Sequence, residues 1–340
     1  MTVSCYKLQL PEGYAPQLDI LETEKAIKLL KDTFEERLAR HLSLTRVSAP
    51  LFVLPSSGLN DNLSGVERAV SFDIRHDDGH VAEVVHSLAK WKRYALKRYH
   101  MAEGTGLYTD MNAIRRDEVT DNLHSLYVDQ WDWEKVIRRE DRTIDMLKQV
   151  VSSIYGVFLD VEAMVASRYP FLNRKLPKEI TFITTQELED AYPNLTASER
   201  ETEAARKYGA IFLMQIGGAL RSGKPHDGRA PDYDDWQLNG DIIFYYPLLN
   251  RAVEVSSMGI RVDEASLKHQ LEVAGCTERE QLPFQQALLN GELPLTVGGG
   301  IGQSRLCMFF LEKAHIGEVQ ASLWSEEMVE RCAAAGIPLL

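Results

Sequence analysis

Between residues 21 and 42 apolar side chains recur at helical spacing. Leu21, Ile27, Leu30, Phe34, Leu38 and Leu42 form one stripe among charges. The same period governs residues 142–169, where Ile144, Leu147, Val151, Ile154, Phe158, Val161 and Val165 predict a longer amphipathic helix. Elsewhere the period drops to two, or the apolar run is continuous. Strands are expected at 46–53, 70–74, 80–86, 107–114, 126–131, 180–184, 210–216, 241–249 and 252–262. Pro50 suits an edge of the first, and Asp77, Asp78 and Gly79 suit a hairpin turn between the second and third. Ser87 is placed to cap a helix carrying Leu88, Trp91, Ala95 and Leu96. Residues 217–236, rich in Gly, Pro and Asp, read as a long loop of the kind that carries function. Two helices follow residue 262, then a glycine-rich turn, a last helix and the segment 319–324. Hairpin-joined strands with helices around them imply an α+β fold built on a mainly antiparallel sheet. Residues 1–18, with Pro11 and Pro16, read as an irregular arm, and 19–340 as a single domain.

Composition narrows the function. The 340 residues carry 38 basic and 50 acidic side chains, a net charge of −12. Nucleic-acid partners usually meet a basic stripe. The densest cationic run, Lys90, Lys92, Arg93, Lys97 and Arg98, is only helix-sized and reads as a solvated face. A nucleic-acid partner is therefore not expected, and no apolar run suggests a span of ~18–20 residues or a membrane partner. Cys5, Cys276, Cys307 and Cys332 lack metal-ligand spacing, which points to reduced thiols and a cytoplasmic location, with Cys307 facing the core of its helix.

The residues that carry chemistry cluster late in the chain. Gly298, Gly300, Gly302 and Arg305 fit G-x-G-x-G-x-x-R ahead of an apolar helical stretch. Such a run lets backbone approach a ligand, offers helix N–H groups to an anion, and adds a guanidinium for phosphate oxygens. Tight strand–helix packing is the competing reading. Asp241 and Glu254 lie on consecutive strands among apolar neighbours. Two acids so placed suit Mg²⁺, or one of them pairs with Arg251 or Arg261 at a sheet edge. Ser256, Ser257 and Gly259 make room beside Arg261, whose fork suits a carboxylate. Gln130 and Asp132 share a strand face, although Asp132 also fits a helix cap. Lys92 fits either a site or a solvated helix.

The glycine–arginine run resembles motif 3 of class II aminoacyl-tRNA synthetases. Residues 44–50 and 114–118 resemble that family's motifs 1 and 2, in the right order. Longer blocks at 60–65, 84–93, 124–134, 229–236, 238–242, 254–261 and 298–305 are similar to ammonia-dependent asparagine synthetase. That family is itself similar to the aspartyl-tRNA synthetase catalytic core, and the likeness covers roughly residues 20–325. The resemblance implies a class II synthetase-like antiparallel sheet. It also implies an ATP-dependent ligase that joins aspartate and ammonia through a β-aspartyl-adenylate, with Mg²⁺, releasing AMP and pyrophosphate. Arg115 would then meet the α-phosphate and Arg305 the γ-phosphate, with Glu118, Gly300 and Gly302 beside ATP. Asp241 and Glu254 would hold Mg²⁺. Lys92 and Arg261 would fix the α-carboxylate of aspartate, with Ser87, Gln130, Asp132, Asp234, Ser256 and Ser257 around it. Asp61 would take a proton from ammonium, unless it merely caps a turn. Either Arg115 with Asp117 or Arg116 with Glu118 satisfies R-x-acid; relatives favour Arg115. The segment 38–53 resembles the class II two-fold interface, so a homodimer is expected. A minimal aspartyl-tRNA synthetase would need a basic tRNA face. A glutamine-using synthetase would need a cysteine where this chain has Thr2. A non-catalytic paralogue would be expected to lose Arg115, Glu254 or Arg305.

Overall fold

The computed structural model describes residues 8–60, 67–75 and 79–340. In chain order it contains α1 (Ile20–Leu42), β1 (Leu44–Arg46), β2 (Phe52–Val53), β3 (Ser71–Asp73), β4 (Val81–Val84), α2 (Ala89–Arg98), β5 (Gly106–Ile114) and β6 (Tyr127–Val136). These lead into α3 (Ile144–Arg168), β7 (Thr181–Thr184), α4 (Thr185–Ala191), α5 (Ala197–Tyr208), β8 (Ala210–Met214), β9 (Asp234–Tyr246) and β10 (Arg251–Arg261). The chain closes with α6 (Glu264–Val273), α7 (Pro283–Leu289), β11 (Thr296–Gly302), α8 (Gln303–Phe310) and α9 (Glu326–Ala334).

An eight-stranded sheet runs in the order β1-β5-β6-β11-β10-β9-β8-β7. Its two outer pairs, β1 with β5 and β7 with β8, are parallel, and the centre is antiparallel. A small sheet, β2-β4-β3, stands apart. The two long helices form where the period of 3.6 placed them. Asp19 Oδ1 accepts the Glu22 amide at 2.8 Å to start α1, and Ser43 ends it in the left-handed region. Thr143 caps α3 by accepting the Met146 amide. Both helices lay their apolar stripes on one face of the large sheet, where Phe34, Phe158, Phe212, Phe244 and Trp131 are fully buried. Among the described residues α3 alone is long and apolar enough to cross a membrane. Its Leu147, Val151, Ile154, Phe158 and Val161 are instead packed in this core.

Several expectations fail locally. Residues 46–53 are not one strand. β1 ends at Arg46 in the large sheet and β2 pairs with β4 in the small one, with Pro50, which lacks an N–H, in the crossing segment. The 70–74 and 80–86 strands do pair antiparallel, as β3 and β4, while Asp77 and Asp78 lie outside the described residues. The 126–131 strand runs on to Val136, so Asp132 sits mid-strand and caps no helix. The loop beginning at 217 ends earlier than expected, at the Asp234 start of β9. The glycine run is not a turn but the central strand β11. Lys90, Lys92 and Arg93 are buried rather than solvated. The arm from Leu8 packs back onto the C-terminal region, where Tyr14 donates to Glu318 at 2.8 Å and Gln9 exchanges bonds with Asn122.

Candidate active site

β6 builds the site through its alternation. Trp131 and Trp133 turn to the apolar core, Trp131 stacking on Phe34 with 4.6 Å between ring centroids. Gln130, Asp132 and Glu134 therefore turn to the opposite face. Register extends that polar face across the sheet. Gly302, Gly300 and Gly298 stand beside Gln130, Asp132 and Glu134, and Ser257 and Gly259 stand beside Gly300 and Gly298. Asp241 pairs with Ser257, and Asp234 with Arg261. The missing side chains of β11 make space for long ones from its neighbours. A Cβ at Gly298 would overlap the Glu134 carboxylate, and one at Gly300 would fall 2.6 Å from Gln130 Oε1.

That space holds a buried ion network. Arg261 donates from Nε and Nη2 to Glu134 at 2.9 and 2.8 Å and from Nη1 to Asp234. Lys92 Nζ donates to Asp132 at 2.8 Å, to the Trp133 carbonyl at 3.0 Å and to the Gly299 carbonyl at 3.4 Å, and lies 3.4 Å from Glu134. Thr296 adds a bond to Glu134 at 2.6 Å. Burial alone would raise the Glu134 carboxyl, but Arg261 and Lys92 outweigh it and hold the group below the usual range. At Asp234 desolvation wins over Arg261 and Arg229, and the carboxyl is raised.

Above this floor lies a cavity of about 400 Å³. Its walls bring together Ser87, Lys92, Arg115, Glu118, Gln130, Asp132, Asp234, Glu254, Ser256, Ser257, Arg261, Gly300, Gly302 and Arg305 from most of the chain's length. Ser87 is not the cap its sequence position implied: Leu88 is the N-cap of α2 and makes no side-chain cap bond, while Ser87, one residue earlier, accepts the Ala89 amide at 3.1 Å. Of the two open arginine registers, Arg115 lines the cavity and Arg116 is exposed. Its acid neighbour is Glu118, at 3.8 Å; Asp117 is held by Arg68, whose hydrogen bonds pull its carboxyl down to about 2. Arg115 Nε is buried without a hydrogen-bond partner, which leaves a donor for a ligand. Arg305 Nη1 donates to the Glu254 carbonyl at 3.0 Å and lies 3.9 Å from its carboxylate. The two serines diverge. Ser256 donates to the Gly300 carbonyl at 3.0 Å, while Ser257 sits opposite Asp241.

Asp241 is buried behind the wall, where Arg229 holds both its oxygens; neither Arg251 nor Arg261 is its partner. Desolvation, opposed by Arg229 and aided by Glu254, pushes its carboxyl up to about 8. Glu254 is partly exposed at the cavity wall. Among the described residues no three His, Cys, Asp or Glu side chains cluster as a metal cage. Glu254 at the wall is a hard carboxylate open to Mg²⁺ carried on phosphates, whereas Asp241 would first have to release Arg229. Asp61 lies outside the described residues. Its neighbour Asn60 is fixed beside the cavity, accepting the His86 amide at 2.9 Å.

Sequence reasoning missed Glu134 and Arg229. The first continues the period-two series of Gln130 and Asp132, so the signal was present. The second sits in the long loop, where no periodicity marks it.

Comparison with known proteins accords with this geometry. A family model described as aspartate-ammonia ligase matches residues 21–336. An aspartate–ammonia ligase of Clostridium perfringens (strain 13) is 61% identical over 334 residues, spanning 98% of this chain and 99% of its own. One from Ruminiclostridium cellulolyticum is 64% identical over 330 residues, covering 97% and 98%. Among solved structures, asparaginyl-tRNA synthetase of Entamoeba histolytica with asparaginyl-adenylate superposes with a TM-score of 0.62 at 12% identity, covering 88% of this chain and 66% of that one. The Pyrococcus horikoshii asparaginyl-tRNA synthetase complexed with asparaginyl-adenylate gives 0.60 at 15% identity, covering 89% and 70%. These likenesses establish a class II synthetase fold. With its full-length relatives and its family model in agreement, the chain belongs to the aspartate–ammonia ligase family.

Proposed function

We propose that this protein joins L-aspartate and ammonia with ATP, through a β-aspartyl-adenylate, releasing AMP and pyrophosphate. The observation that carries this reading is the single polar sheet face. It offers an ion-paired floor carrying Lys92 and Arg261 beside arginines at the cavity wall, inside a fold shared with a synthetase solved with asparaginyl-adenylate. A carboxylate attacking a phosphate brings two anions together, so cations must face the reacting groups. Arg115 takes the α-phosphate and Arg305 the γ-phosphate, with Glu118, Gly300 and Gly302 along the nucleotide. Glu254, and Asp241 behind Arg229, would hold Mg²⁺, which neutralises phosphate charge.

Arg261 still has donors on Nη1 and Nη2 for the α-carboxylate, and Lys92 fixes the charge beneath it through Asp132. Asp132, Asp234 and Gln130 receive the substrate ammonium, with Ser87, Ser256 and Ser257 around them. Asp61 accepts a proton from ammonium before the nitrogen attacks the acyl carbon. Glutamine does not replace ammonium efficiently.

The protein acts as a cytoplasmic homodimer joined through residues 38–53. Leu51 and Phe52 are exposed within it, and Leu54 and Phe72, the latter against the Phe52 ring, extend the exposed apolar surface. Isologous burial of such a patch is the commonest closed assembly. A stable, active monomer in sedimentation at micromolar concentration would refute the dimer. The activity is tested by omitting aspartate, ammonium, ATP or Mg²⁺ in turn. Asparagine and AMP should appear only with the complete set, and ADP with phosphate would refute the adenylate.

A further inference from the structure

Arg229 has no role in the scheme so far, yet it lines the cavity. Its Nη2 is bonded to both oxygens of Asp241, and Nε is buried with no hydrogen-bond partner. Among the described residues no hydrogen bond engages Nη1. Asp241 thus fixes the guanidinium from one side and leaves the other side with unused donors, the arrangement of a pre-positioned anion clamp.

Neighbours indicate which anion. Arg229 lies close enough to Asp234 and Tyr233 to interact electrostatically with both. Asp234 bonds Arg261, whose guanidinium lies 5.9 Å from the Tyr233 ring centroid. In the bonded floor network two cations, Lys92 and Arg261, face three acids, Asp132, Glu134 and Asp234. That floor suits an ammonium group but has no surplus positive charge for a substrate bearing two carboxylates. Arg115 and Arg305 already face the phosphates in the scheme above.

We propose that Arg229 binds the non-reacting α-carboxylate of the amino-acid substrate, opposite Arg261, and so sets the preference for a dicarboxylic amino acid. The inference rests on the ligase reading and deepens it.

The test is aspartate-dependent pyrophosphate–ATP exchange by the full-length protein and by Arg229→Gln. The urea-unfolding midpoint of Arg229→Gln is the folding control, and Arg229→Lys, which keeps the charge, should recover part of the loss in aspartate binding. Loss of charge-assisted bonds should raise the KM for aspartate roughly ten- to a hundredfold in Arg229→Gln. The KM for ATP should stay within about twofold. Inhibition by succinate, which keeps both carboxylates, should weaken in parallel. Inhibition by β-alanine, which lacks the α-carboxylate, should not change. A rise in the KM for ATP equal to that for aspartate, or equal weakening of succinate and β-alanine, would overturn the assignment. So would an unchanged aspartate KM in Arg229→Gln alongside a lowered urea midpoint, which would mean Arg229 only neutralises Asp241. Absence of exchange in the unaltered protein would remove the ligase reading itself, an outcome distinct from these.

Discussion

Alanine at Gly298 and at Gly302 should behave very differently, although both glycines belong to one motif. At Gly298 the new methyl would enter the Glu134 carboxylate and crowd the Trp133 carbonyl, in the middle of a paired strand. Glu134 cannot yield without losing its bonds from Arg261 and Thr296 and its pairing with Lys92, all buried. Breaking a buried ion pair costs roughly 3–5 kcal/mol, and overpacking alone roughly 1–3 kcal/mol. The lower chain entropy of alanine returns only about 0.5–1 kcal/mol. Because the first two losses describe one displacement, they do not add, and Gly298→Ala should destabilise by about 3–5 kcal/mol. At Gly302 the nearest atom is Arg305 Cβ at 3.4 Å, and the backbone φ of −67° accepts alanine. There the cost should stay under about 1 kcal/mol. Urea unfolding followed by circular dichroism reads both. Near-equal midpoints for the two variants would refute the view that the first glycine exists to accommodate the ion network.

Three further outcomes follow from the site and its surroundings. Arg305→Ala should lose about 2–4 kcal/mol of transition-state stabilisation, so pyrophosphate exchange and asparagine synthesis should fall together; loss of synthesis alone would contradict its phosphate role. Asp61→Asn should leave exchange largely intact while asparagine formation drops and partly recovers at higher pH, where free NH₃ is supplied; equal loss of both half-reactions would remove Asp61 from ammonium activation. Burial holds the His315 imidazole down to about 4 from 6.5, so the folded state binds its proton later than the unfolded chain. Stability from this group is whole above pH 6.5 and declines as pH falls toward 4, by up to about 3 kcal/mol. His315→Gln should flatten the acid limb of a urea-midpoint series, and an unchanged slope would refute this.

The long helices and the central hairpins were legible because their apolar periods survive in the structure: Phe34, Leu38, Ile154 and Phe158 all reach the core. The glycine strand was not, because glycines carry no side-chain pattern, and their φ permissiveness reads as a turn. Its strand character is fixed by β6 and β10, which lie far away in sequence. Arg93 looked like a surface residue, and Lys92 fitted either a site or a solvated face, for a similar reason. The acids facing Lys92 are Asp132 and Glu134 on β6, and Arg93 bonds the carbonyls of Val262 and Pro294. Arg115 and Arg305, which line the cavity, were picked out by motif spacing. Arg229 could not be, since only the fold brings its loop to Asp241 on β9.

We propose that the side-chain carboxylate of aspartate attacks the α-phosphorus of ATP. It is tested most directly with L-aspartate carrying ¹⁸O in that carboxylate, incubated with ATP, Mg²⁺ and ammonium. One ¹⁸O should pass to AMP and one should stay in the asparagine amide. Label in inorganic phosphate with ADP as product, or AMP free of label, would contradict it.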